Sequence, residues 1–84
     1  MLLTKSQRDY IILEMRDISE EFQFDTAITT SIIHALNAEL PLNLDQLHYL
    51  ETHFEDYLDA DNDGPCIEIS ILALIRLELT KITA

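Results

Sequence analysis

Apolar residues recur along this chain at helical intervals. Ile11, Met15, Ile18 and Phe22 are spaced four, three and four apart, which sets them on one face of a helix. Thr4 followed by Gln7 has the form of a capping box, where each side chain accepts the other residue's backbone N–H, so a first helix is predicted from about residue 5 to 21. Asp25 is placed to cap a second helix with the stripe Ile28, Ile32, Ala35, Leu36 and Leu40, ended by Pro41. Its first half, Thr26 to Ile33, is rich in β-branched residues, which weakens helix propensity. Asn43 with Gln46 repeats the box, and Leu47, Leu50, Phe54, Tyr57 and Leu58 mark a third helix to about residue 58.

Asp59 to Pro65 holds the only glycine and one of the two prolines, and is predicted to be a loop. From Ile67 to Leu79 every odd position is apolar, as in a strand, yet Leu72, Leu74 and Ile82 fill even positions and no turn signal interrupts the run. Strands average ~5 to 6 residues, so the uninterrupted stretch favours a helix, apolar on most sides and central to its domain. The expected fold is all-α: a compact four-helix bundle in which a helix-loop-helix pair occurs twice, forming a single helical domain over residues 1–84.

An 84-residue chain suits one domain. With 48% hydrophobic residues, including eleven Ile and fourteen Leu, disorder is not expected, and some apolar surface is expected to stay uncovered. That excess favours a homodimer or a partner groove. The start, Met1 to Lys5, has no apolar core of a leader, and no apolar run approaches the ~20 residues of a membrane span, so a cytoplasmic protein is expected. Cys66 stands alone and is expected to be a structural thiol, with no intrachain disulfide.

Charge changes the picture most. Between Asp17 and Ile75 there are thirteen Asp and Glu residues and no Lys or Arg, and the net charge is −11. Such a chain repels phosphate backbones and anionic lipid, which argues against direct nucleic-acid or membrane binding and for a protein partner with a basic surface. Helices 1 and 3 also invert the usual dipole preference. Lys5 and Arg8 open helix 1 and Glu20 and Glu21 close it, while Glu55 and Asp56 end helix 3. Glu51, Glu55 and Asp59 stack like charges at intervals of four, a cost of ~0.2 to 0.5 kcal/mol per pair. An up-down bundle would bring Glu20, Glu21, Asp25, Glu55, Asp56, Asp59, Asp61, Asp63 and Glu68 to one pole and Lys5, Arg8, Arg76 and Lys81 to the other. Solubility alone explains the total charge but not this segregation.

Asp59-Ala60-Asp61-Asn62-Asp63-Gly64 resembles the first half of an EF-hand calcium loop, in which alternating carboxylates ligate the ion and Gly allows the bend. The resemblance implies a cation held by Asp59, Asp61 and Asp63. It departs from the family at Ser70, where the twelfth-position Glu belongs, and at Pro65 and Cys66. A solvated acidic turn is the simpler expectation, with no metal and no cofactor.

His48 with Glu51 and His53 with Asp56 share faces at i, i+3, and His34 has no acid within four positions, so none forms a complete catalytic or metal constellation. There is no phosphate loop, paired-Cys zinc spacing or nucleophile elbow, and the chain is expected not to be an enzyme. Tyr10, Tyr49 and Tyr57 are candidate interface anchors; packing is favoured for Tyr57, and Tyr49 falls beside the buried side set by Leu47 and Leu50. Phe22 and Phe24 flank Gln23 just after helix 1, and one of them is expected to be exposed.

The leading expectation is a small acidic inhibitor or neutralising protein that covers a basic surface, such as that of a nuclease or nucleic-acid-binding protein. Glu20, Glu21, Asp25, Glu51, Glu55, Asp56, Asp59, Asp61, Asp63 and Tyr49 are its candidate contacts. In size, charge and fold class the chain resembles toxin-immunity proteins and phage-encoded inhibitors. The alternatives are a degenerate EF-hand-like calcium module and a dimeric structural or regulatory subunit using Ile69, Ala73 and Leu77.

Overall fold

The structure, a computed structural model, describes residues 2–21, 23, 25–60 and 67–83, with the backbone alone for 57–60 and 83. Among these residues the chain is all-α, with four helices: α1 (Lys5–Glu21), α2 (Thr26–Asn37), α3 (Leu44–Ala60) and α4 (Ile67–Thr83). No strand occurs among them, and the alternating segment from Ile67 is helical. The chain divides into two compact units, Leu3–Leu42 carrying α1 and α2, and Met1–Leu2 with Asn43–Ala84 carrying α3 and α4. Each is a helix pair with its own core.

Both capping boxes form. The Thr4 N–H donates to Gln7 Oε1 at 2.9 Å and the Gln7 N–H to Thr4 Oγ1 at 3.1 Å, fixing the start of α1. At α3 the Asn43 N–H donates to Gln46 Oε1 and the Gln46 N–H to Asn43 Oδ1, both at 2.8 Å. Gln46 is buried, so its side chain closes the end of the core as well as the helix.

In the α1·α2 pair, Ile11, Met15 and Ile32 are fully buried and Ala35 and Leu36 nearly so. Each large apolar side chain removed from water contributes about 1.5 to 3 kcal/mol. The four-residue connection and a contact from Arg8, near the start of α1, to Glu39, just past α2, make the pair antiparallel. Thr29 is buried among these apolar groups without cost to its hydroxyl, which donates within the helix to the carbonyls of Asp25 (3.0 Å) and Thr26 (3.2 Å).

Both ends of α2 differ from expectation. Asp25 occupies the cap position in a left-handed conformation (φ 51°, ψ 34°) and its side chain makes no cap hydrogen bond, because a capping carboxylate requires extended φ/ψ to reach back to the first turn. The helix stops at Asn37, short of Pro41, in a Schellman turn: Leu40 N–H donates to Ala35 O at 2.9 Å and Glu39 N–H to Leu36 O at 3.3 Å, with Glu39 at φ 57°. Leu40 therefore leaves the apolar stripe and is 54% exposed.

In the α3·α4 pair the core is Leu47, Leu50, Phe54, Ile71, Ile75, Leu72 and Leu79. α3 continues through Asp59 and Ala60, where a loop is expected, and the rest of the expected loop, 61–65, lies outside the described residues. On α4 the buried face is Glu68, Ile71, Leu72, Ile75 and Leu79, and Ile69, Ala73 and Leu77 lie on the exposed side. The expectations for Phe22, Phe24, Asp61, Asp63, Pro65 and Cys66, and for the side chains of Tyr57, Leu58 and Asp59, fall outside the described residues.

Candidate functional site

The acidic surface of the α1·α2 pair starts on the solvent face of α1. Because Ile11 and Met15 turn inward, Asp9, Leu13, Asp17 and Glu20 turn outward at near-helical spacing, and all four are exposed. Glu21 ends the helix, and beyond it Gln23 (φ 50°) and Asp25 (φ 51°) both lie at positive φ. Released from capping, the Asp25 carboxylate points to solvent beside Glu20 and Glu21 in sequence. No ion pair involves Asp17, Glu20, Glu21 or Asp25 among the described residues, and Arg16, although one turn from Glu20, is not bonded to it.

Leu13 is the one large apolar residue on this face, 52% exposed between Asp9 and Asp17. Its position off the Ile11, Met15 and Ile18 stripe was readable from spacing alone, yet it and its two flanking aspartates are absent from the sequence-based candidates. Asp9 and Asp17 flank Leu13 at i−4 and i+4, with Arg16 at i+3, so carboxylates that attract at long range adjoin an exposed aliphatic contact point.

In the α3·α4 pair the candidates behave differently. Arg76 of α4 lies 3.1 Å from Glu55 and 3.7 Å from Glu51, and His48 is 3.7 Å from Glu51. The expected separation of bases from acids fails here, because antiparallel packing sets the middle of α4 against the middle of α3. Arg76 also offsets the repulsion between Glu51 and Glu55, one turn apart. Asp56 is exposed and has no ion pair among the described residues, while Tyr49 is half-buried. Asp59 is placed in the last turn of α3 by its backbone; Asp61 and Asp63 lie outside the described residues.

The inverted dipoles have a structural cause as well. In an antiparallel pair the C-terminus of one helix adjoins the N-terminus of the next. Glu20 and Glu21, adverse at the end of α1, lie near the start of α2, whose first turn has no acid of its own. Arg8, adverse at the start of α1, reaches Glu39 at 3.4 Å beyond the end of α2, where a cation is favourable. Inversion by itself is thus a property of the hairpin. Exposure without an ion pair among the described residues is shared by Asp9, Asp17, Glu20, Glu21, Asp25, Asp45 and Asp56, and four of these, from Asp17 to Asp25, follow one another around the end of α1.

The histidines do not assemble into a catalytic group. His34 is exposed in the last turn of α2, His48 is exposed beside Glu51, and the His53 ring meets Phe54 edge-on with centroids 5.1 Å apart. Among the described residues no three His, Cys, Asp or Glu side chains lie close enough to hold a metal ion, and the EF-hand-like segment lies mostly outside them. No helix is long and apolar enough to cross a membrane among the same residues.

The chain matches no known protein family, no curated protein and no solved structure.

Proposed function

We propose that this chain is a small acidic binding protein that inhibits or neutralises a partner by covering a basic surface, of the kind a nuclease or nucleic-acid-binding protein presents. The observation that carries the proposal is the group Asp17, Glu20, Glu21 and Asp25, four exposed carboxylates with no cation bonded to them among the described residues. In water such a group attracts a basic surface over roughly a Debye length, ~8 to 10 Å at physiological salt, and raises the rate of productive encounter. Leu13 then supplies contact area that slows dissociation, with Asp9 and Asp17 as its rim.

Glu51 and Glu55 carry less weight in this mechanism than Asp56, because Arg76 already balances them. The proposal assigns a binding role without catalysis or cofactor. Its test is a low-salt capture on immobilised chain, eluted by a salt step, followed by association kinetics with the captured protein. Replacing Glu20, Glu21 and Asp25 by Lys abolishes capture if the carboxylates steer binding. Equal capture by wild type and triple variant refutes the proposal.

A further inference from the structure

The face of α4 turned away from Ile71, Ile75 and Leu79 is apolar where a surface helix is normally charged. Ile69 is 45% and Leu77 54% exposed, with Ala73 between them, so the three form a ridge at i, i+4 and i+8. Leu2, Leu74 and Leu77, with Glu78 and Lys81, line a groove of about 240 Å³ that widens the ridge on one side. α4 exposes Arg76, Thr80 and Lys81 here, and neither of its two carboxylates is exposed: Glu68 is buried and Glu78 half-buried.

We infer that this ridge is the seam of an antiparallel homodimer in which α4 packs on α4 of a second copy with Ala73 at the twofold axis. The spacing is self-complementary. Reversing the helix about Ala73 exchanges Ile69 with Leu77, so each large side chain meets the other type, and the small residue at the crossing permits the close approach of ~8 to 10 Å that helix packing needs. A chain of charge −11 repels its own copy over most of its surface. The outer face of α4 contributes little to that repulsion, since its exposed charges are Arg76 and Lys81, its nearby carboxylate Glu78 is half-buried at the groove, and Glu51 and Glu55 on α3 are turned to Arg76.

Orientation follows from the same residues. A parallel pair would stack Arg76 on Arg76 and Lys81 on Lys81 and align the two helix dipoles unfavourably. The antiparallel pair opposes the dipoles and, at 1.5 Å rise per residue, separates the two Arg76 positions by about 9 Å and the two Lys81 positions by about 24 Å along the axis. With Ala73 at the axis only positions 67–79 of the two helices overlap, a seam roughly 18 Å long at 1.5 Å per residue that falls at or below the low end for a specific interface. The dimer is therefore weak and concentration-dependent.

The inference does not rest on the proposed acidic contact surface, and salt separates the two: screening strengthens association between like-charged copies and weakens capture of a basic partner. Sedimentation of the full chain across a wide concentration range reads the first. A monomer–dimer equilibrium is expected, tighter at high salt, with Leu77→Glu weakening it by about tenfold or more. Disulfide trapping in a Cys66→Ser background reads geometry without burdening the fold: Ala73→Cys cross-links to itself, and a mixture of Ile69→Cys and Leu77→Cys cross-links faster than Leu77→Cys alone. A monomer at every concentration overturns the inference and leaves the ridge to a different protein. A dimer unaffected by Leu77→Glu, or faster trapping of Leu77→Cys with itself, overturns it too.

Discussion

Glu39 holds the left-handed position that ends α2, at φ 57°, where glycine is the usual occupant. For an L-residue with a full side chain this conformation costs about 1 to 2 kcal/mol. Glycine removes that cost but gains chain entropy in the unfolded state, offsetting about 0.4 to 1 kcal/mol. It also removes the Arg8 contact, 3.4 Å between groups of which Glu39 is 75% exposed, a pair at the lower end of the ~0.2 to 1 kcal/mol range for surface bridges. The sum leaves Glu39→Gly more stable by about 0.5 kcal/mol, or roughly 2 to 4 °C in Tm for a domain of this size. Glu39→Val has the opposite sign and a larger magnitude, at least about 1 kcal/mol, because a β-branched side chain is disfavoured at positive φ. Urea and thermal unfolding of both, repeated in an Arg8→Gln background to remove the ion pair, give the order Gly above Glu above Val. A Val variant as stable as the Gly variant would refute the assigned turn.

Other perturbations probe separate parts of the structure. Asn43→Ala removes one arm of the α3 capping box and is expected to cost about 1 kcal/mol, read by urea midpoint. Met15→Ala opens space in the α1·α2 core at a fully buried site and costs about 2 to 5 kcal/mol, whereas Leu13→Ser, two residues away and exposed, stays within about 0.5 kcal/mol while weakening partner binding. Arg76→Gln leaves Glu51 and Glu55 facing each other without a cation and is expected to cost up to about 1 kcal/mol at low salt, the loss shrinking as salt rises.

Much of the fold was legible because it is written in local rules. Thr4 with Gln7 and Asn43 with Gln46 announce helix starts, and the Ile11 and Met15 spacing announces the buried face of α1. The end of α2 was not legible, since Leu40 continues the Leu36 interval and the turn that excludes it uses Glu39 rather than glycine. Asp25 looked like a cap from its residue type, but its left-handed backbone places the carboxylate where it cannot bond the first turn. The Arg76 pairing with Glu51 and Glu55 depends on how α3 and α4 register against each other, which periodicity within one helix cannot specify. Conversely, the ridge on α4 was legible by residue, since Ile69, Ala73 and Leu77 recur at intervals of four, and all three are exposed.

Association kinetics with the captured partner, compared between about 50 and 500 mM salt, address electrostatic steering most directly. The account predicts an association rate that falls by about tenfold or more over that range for the wild type. Glu20→Gln/Glu21→Gln/Asp25→Asn should flatten the dependence and start from the lower rate. A wild-type rate that does not change with salt, or a neutralised variant with the same salt slope, would contradict it.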